Sequence, residues 1–176
     1  MDEVGRLALQ IAREAVSRHL GESVTILPPA DVPSALGDRA GVFVTIRKGV
    51  LLRGCIGTLT PTQRTVAHEI IANAIAAATT DPRFSPAQSE ELPRLTFAVD
   101  IVRALEPVSG PSHLNPLIYG VVVEADPLKG VLLPGVEGVK TAEQQIEIAR
   151  AKAGVPSGAP VTLHRFAVTR YREEPS

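Results

Sequence analysis

The chain has 176 residues, 44% of them hydrophobic and 21% charged, which is ordinary for a folded protein and long enough to bury a substantial core. Lys+Arg number 18 against Asp+Glu 19, with no long like-charge run, which argues against a general nucleic-acid binder or a binder of anionic membranes. The single cysteine, Cys55, excludes an internal disulfide and a cysteine metal cluster, and aromatics at 3% leave the core to Ala, Val, Ile and Leu.

Residues 3–20 read as an amphipathic helix, with Val4, Leu7, Ile11 and Ala15 near helical spacing and Gly21 as its stop. Residues 28–39, rich in Pro, Gly and Asp, read as a loop. Val42, Val44 and Ile46 share one face of a strand, Arg47-Lys48-Gly49 turns, and Val50 to Thr58 returns, giving a β-hairpin. Thr62 is the expected N-cap of a broad apolar helix reaching Thr79, ended by Asp81-Pro82. Leu95 to Val102 alternates as a strand, and residues 103–116 connect it to a second hairpin. In that hairpin Leu117 to Ala125 is one strand, 126–130 the turn, and Val131 to Leu133 the return. Thr141-Ala142-Glu143-Gln144 has capping-box form and opens a helix to about Ala153, stopped by Gly154 and Pro156; Val161 to Tyr171 is the last strand. The last residues, 173–176, read as a frayed tail.

Paired strands interleaved with helices predict an α+β fold with mixed, largely antiparallel sheets and about three main helices. A hairpin, a helix and a strand occur twice in that order, which suggests one domain, 1–176, made of two similar intimate halves. The N-terminus is unlike a signal peptide and no apolar run reaches the length of a membrane helix, so a cytoplasmic location with no membrane role is expected.

Chemistry concentrates in Leu52-Arg53-Gly54-Cys55-Ile56-Gly57. Strict strand alternation puts Leu52, Gly54 and Ile56 toward the core and Arg53, Cys55 and Gly57 on the opposite face. Glycines inside a strand mark a bulge or a close approach of ligand or backbone, here at Gly54 and Gly57. A cation beside a thiol raises its thiolate fraction, so Arg53 is placed to activate Cys55; a lone strand cysteine is more commonly a small buried hydrophobe. A second cluster, Asp81-Pro82-Arg83-Phe84, offers a carboxylate and a guanidinium for binding substrate or an anion, or else a plain helix stop. No Walker loop, GxGxxG, HExxH or GxSxG occurs, and no metal or cofactor is expected.

These residues resemble a known family, the AMMECR-type domain, also called protein A of the AmmeMemoRadiSam system. The resemblance runs through Gly41-Val42-Phe43-Val44-Thr45-Ile46, LRGCIG at 52–57, Asp81-Pro82-Arg83-Phe84 with Glu91-Leu92, Gly120 and its valine strand, Leu132-Leu133-Pro134, and Lys152-Ala153-Gly154. Tyr119 stands where the family often has His, Gly135 where Gln is common, and the aromatic residue of the last helix is absent. The resemblance implies two subdomains, a cleft lined by 52–57, and association with MEMO-type and radical SAM proteins, without supplying a reaction. The expectation is a cleft-bearing enzyme or enzyme subunit acting on a small anionic or macromolecular substrate. Cys55 and Arg53 would be its catalytic pair, and Gly54, Gly57, Asp81 and Arg83 would contact substrate. The alternative is a non-catalytic module that recognises a MEMO-type partner or an anionic ligand through Arg53 and Arg83. Oligomeric state is left open.

Overall fold

A computed structural model describes residues 1–174. It is α+β: helices α1 (Glu3–Glu22), α2 (Ser34–Gly37), α3 (Val66–Thr79) and α4 (Ala142–Ala153) are interspersed with six strands. These are β1 (Val42–Lys48), β2 (Leu51–Gly57), β3 (Leu95–Val108), β4 (Gly120–Ala125), β5 (Leu128–Leu132) and β6 (Thr162–Arg172). Among the described residues no helix is long and apolar enough to cross a membrane.

The chain divides into two compact units: residues 1–102 with 169–176, and residues 103–168. In the first, β2 pairs with β1 and β1 with β3, all antiparallel. The core-facing row Val42, Val44 and Ile46 is fully buried beside Val99 and Phe97 of β3. Helices α1 and α3 complete this core through Ala8, Ile11, Ala12, Ala15, Ile70, Ala74 and Ala77. So many alanines let the helix backbones come close. In the second unit β5 pairs with β4 and β4 with β6, again antiparallel, and α4 packs Ile146 and Ala149 against Val121 and Val123.

The two hairpin–helix–strand segments share a local device. In β2, a Cβ added to Gly54 would lie 2.0 Å from the Ala77 carbonyl oxygen of α3; in β5, one added to Gly130 would lie 1.9 Å from the Ala149 carbonyl oxygen of α4. Both glycines sit in corresponding runs, Leu52-Arg53-Gly54-Cys55-Ile56 and Leu128-Lys129-Gly130-Val131-Leu132. Glycine here admits a helix backbone that any side chain would push away. Corresponding carbonyls on the two strands are also covered by a cation: Arg83 Nη2, from the turn after α3, donates to Cys55 O (3.3 Å), and Lys152 Nζ, from the last turn of α4, to Val131 O (2.8 Å). The unpaired side of an edge strand is thereby closed to foreign strands.

Several boundaries differ from expectation. Helix α1 runs past Gly21 to Glu22 and is capped by Ser23, whose φ of 57° is left-handed. The segment 28–39 contains the short helix α2. Helix α3 is capped by Thr65, whose hydroxyl accepts from the His68 N–H, because Thr62 is engaged elsewhere. Strand β4 starts at Gly120: Asn115 accepts from Leu117, Ile118 and Tyr119 N–H groups and holds 117–119 in turns. The expected turn 126–130 shrinks to two residues, with β5 already begun at Leu128. The capping box opens α4, with Thr141 and Gln144 bonded reciprocally at 3.2 Å. Of the tail, Pro175 and Ser176 lie outside the described residues, whereas Glu173 is anchored by Arg13 (2.6 Å) and by the Phe97 N–H (2.9 Å).

Candidate functional site

Strand β2 departs from strict alternation. Ile46 pairs with Gly54 but Arg47 pairs with Leu52, which leaves Arg53 as the extra residue of a β-bulge. Gly54 keeps its place toward α3 and Ile56 packs on the core. The bulge moves Leu52 into register with exposed Arg47, so Leu52 is half-buried and not the core residue that alternation predicts.

Arg53, so displaced, turns to a distant segment. Its Nε and Nη2 donate to the two carboxylate oxygens of Glu91 (3.2 and 2.9 Å), and its Nη1 to Ser85 O (2.9 Å). Lys48 adds a bond to Glu91 (2.9 Å) and the Gln88 N–H another (3.1 Å). Hydrogen bonds from Arg53 first, then Lys48 and Gln88, hold the Glu91 carboxyl at about 2. Arg53 therefore braces the 85–91 segment. Arg53, Arg83, Phe84, Ser85, Pro86, Gln88 and Glu91 line an open hollow of about 560 Å³, which Cys55 does not line.

Cys55 is held from three sides. The bond from the Thr58 N–H to Val42 O (2.9 Å) sets the alternation of the ladder, and at Cys55 both backbone groups point away from β1. Its N–H donates to Asp81 Oδ2 at 2.9 Å, and its carbonyl accepts from Arg83. Asp81, with a side chain only 2% exposed, also accepts from the Arg83 N–H (3.1 Å), Nε (3.0 Å) and Nη2 (2.7 Å). The Arg83 bonds, which outweigh burial, together with the Cys55 N–H hold the Asp81 carboxyl at about 2. The Asp81–Arg83 turn thus acts as a one-residue substitute strand along β2. The guanidinium of Arg83 also lies over the Phe84 ring, 5.4 Å from its centroid.

The thiol side chain is half-buried on the face opposite the core, with Thr45 Oγ1 at 3.3 Å. The next row of that face is Gly57, Phe43 and Asp100, and an added Cβ at Gly57 would meet the Phe43 ring at 2.2 Å, so the ring covers the glycine. Asp100, buried, receives Arg170 Nε (2.6 Å) and Nη2 (2.9 Å). Burial raises the Asp100 carboxyl against the pull of Arg170. A charge on Cys55 is felt by two cations: it raises Arg83 and Arg170, in each case less than the carboxylate partner, Asp81 or Asp100, does.

The expected residues thus fall into two neighbouring places joined by Arg83. Arg53 and Arg83 meet at the hollow; Cys55, Gly57 and the Asp81 clamp belong to the sheet and its edge. Thr45, Asp100, Arg170 and the anchoring Glu91 were not assigned roles from sequence. Thr45 lies in the expected hairpin opposite Cys55, so a register argument finds it; Arg170 lies 115 residues from Cys55, and no local pattern does. Among the described residues no group of three or more His, Cys, Asp or Glu is placed to hold a metal ion.

A family model, AMMECR1, matches residues 9–175. The chain belongs to the AMMECR1 family. It is 45% identical to a protein of Thermotoga maritima over 164 residues, covering 92% of this chain and 94% of that one. A Clostridium acetobutylicum protein is 41% identical across 94% of this chain, which spans 36% of that longer relative. Among solved structures, that of Uncharacterized Protein PH0010 from Pyrococcus horikoshii superposes with a TM-score of 0.92 at 31% identity, covering 99% of this chain and 94% of that one. The AMMECR1 pattern therefore extends over both units, including the segments 52–57 and 81–84.

The two carboxyls held at about 2 give the site a pH signature. Both lie below the ordinary carboxylate range near 4, so on acidification the unfolded chain takes up these protons first. Their contribution is complete above about pH 5 and is lost as pH falls through the folded value near 2. The ceilings are about 2 kcal/mol for Asp81 and about 3 kcal/mol for Glu91, each reduced by the solvent exposure of a partner, Arg83 or Lys48. Asp100, raised, works in the opposite sense. Urea midpoints between about pH 6 and pH 3 should fall less in Asp81→Asn and Glu91→Gln than in the wild type. An equal fall in all three would exclude both pairs as the source.

Proposed function

We propose that this AMMECR1-family chain is an enzyme or enzyme subunit of an AmmeMemoRadiSam-like system, working in the cytoplasm through the thiolate of Cys55 on a substrate with an anionic group. The observation that supports this most is the clamp on the Cys55 backbone, whose N–H donates to Asp81 and whose carbonyl accepts from the Arg83 guanidinium. The positive charges of Arg83 and Arg170 favour the thiolate over the thiol, against the opposing charges of their partners Asp81 and Asp100. The role first read for Arg53 passes largely to Arg83, because Arg53 is committed to Glu91. Arg83 is 52% exposed, and its Nη1 makes no bond among the described residues, so it is open to a carboxylate or phosphate oxygen.

Iodoacetamide labelling of the native protein tests this. Cys55, the sole cysteine, should alkylate readily near about pH 7, below the ordinary thiol range around 8.5. Arg83→Gln should shift the labelling profile to higher pH. Labelling that needs denaturant would end the thiolate reading.

A second reading is favoured by the hollow itself, whose lining includes Arg53 and Arg83 but not Cys55. Under it the chain is a binding module that recognises an acidic group on a MEMO-type protein. Cys55→Ala would then leave a pull-down unchanged while Arg83→Ala abolishes it; harmless behaviour of both would remove this reading.

A further inference from the structure

We propose that Thr45 is a positioning residue for Cys55, its hydroxyl donating a hydrogen bond to the sulfur and fixing the thiolate on the open face of the sheet. The inference rests on the thiolate reading above. Thr45 and Cys55 are directly opposite across β1 and β2, at a pair whose backbone groups do not bond to one another. In antiparallel ladders such pairs bring their side chains closest. Oγ1 and Sγ are 3.3 Å apart. On its other flank Thr45 pairs with Ala98, which has no polar side-chain group to compete. The β-branched side chain has few χ1 choices in a strand, so the hydroxyl is delivered to one place.

The direction of the bond follows from the chemistry of sulfur. A thiol could donate to the hydroxyl oxygen, but a thiolate has no proton and can only accept. Ionisation therefore makes Thr45 the donor, and a hydrogen bond to the charged form favours that form. The charged groups around the thiol come from three elements: Asp81 and Arg83 after α3, Asp100 on β3, and Arg170 on β6. Arg53, two residues away on β2, is tied to Glu91. The charged groups supply a field at the site; Thr45 supplies a directed neutral donor at the sulfur.

The experiment compares iodoacetamide alkylation rates against pH for the wild type, Thr45→Val and Thr45→Ser. Valine keeps the shape and strand preference of Thr45, and serine keeps the hydroxyl. Thr45→Val should slow alkylation about tenfold near neutral pH and move the midpoint upward, as expected for losing one hydrogen bond to a charged acceptor. Thr45→Ser should return the rate to within about threefold of the wild type. A Thr45→Val profile superimposable on the wild type overturns the inference, as does a Thr45→Ser variant that behaves like Thr45→Val. An ordinary wild-type midpoint overturns the enzyme reading instead, since the Val-to-wild-type difference is read whatever that midpoint is.

Discussion

Gly54→Ala is expected to destabilise the protein by about 3 kcal/mol, because the new methyl would stand 2.0 Å from a helix carbonyl. The obstacle is the Ala77 backbone in α3, which cannot rotate aside as a side chain could. Either α3 lifts from the sheet, opening the interface lined by Ala74, Ala77 and Ile70, or β2 bends outward and breaks its pairing with β1. Gly130→Ala should cost a similar amount in the second unit, where Ala149 is the obstacle. Gly110→Ala is the control: its backbone is extended, nothing lies within 4 Å of the added atom, and a change within about 0.5 kcal/mol is expected. Thermal unfolding would read the two costly variants as drops of roughly 6–12 °C for a chain of this size. Wild-type melting of Gly54→Ala would refute the close approach. Comparing Gly54→Ala with Gly130→Ala also reports whether the two units melt together, since in a single cooperative transition either variant moves the whole curve.

Glu69→Ala should cost about 3–5 kcal/mol, which is large for a residue with no cation partner among the described residues. Glu69 is fully buried in the first turn of α3. It accepts from Thr58 Oγ1 (2.6 Å), Thr62 Oγ1 (2.8 Å), the Thr62 N–H (2.9 Å) and the Gln63 N–H (2.7 Å). Burial opposes ionisation more than any one of these bonds favours it, yet together they keep the carboxyl below its ordinary value. The start of the helix adds a favourable dipole. Removing the carboxylate strands two hydroxyls and two backbone donors, and frees the segment that leaves β2 immediately after Gly57. Chemical denaturation should show the loss; a shift under about 1 kcal/mol would mean that water replaces the carboxylate readily.

Glu69 also shows where the sequence could and could not be read. Thr62 and Thr65 are equally good caps by residue type, and the choice depends on a glutamate buried behind the loop. Hairpins, helix stripes and the Thr141–Gln144 box were legible because each is a contest among residues three or four apart. The bulge at Arg53 was only half legible. Two glycines within four residues signalled an irregularity, but strict alternation had no means to say which residue was the extra one. Misplacing it put Arg53 beside the thiol, whereas the fold commits Arg53 to Glu91 and brings Arg83 to the Cys55 carbonyl. Arg83 reaches the Cys55 carbonyl across 28 residues, Glu91 reaches Arg53 across 38 and Arg170 reaches Asp100 across 70, so these roles exist only in the folded chain. The AMMECR1 pattern spans both ends of these long-range contacts, which no local rule links.

The closure of the β2 edge by the Asp81–Arg83 turn has a consequence for how the site could change. Neighbouring strands are zipped by many backbone bonds and separate only by unfolding. Here the substitute is two side chains, one of them buried and one 52% exposed. An anion that draws Arg83 outward would take its guanidinium off the Cys55 carbonyl while Asp81 still grips the N–H. Ligand capture and access to the backbone of the thiol-bearing residue would then be one movement, a latch turned by a single side chain while the sheet itself stays shut.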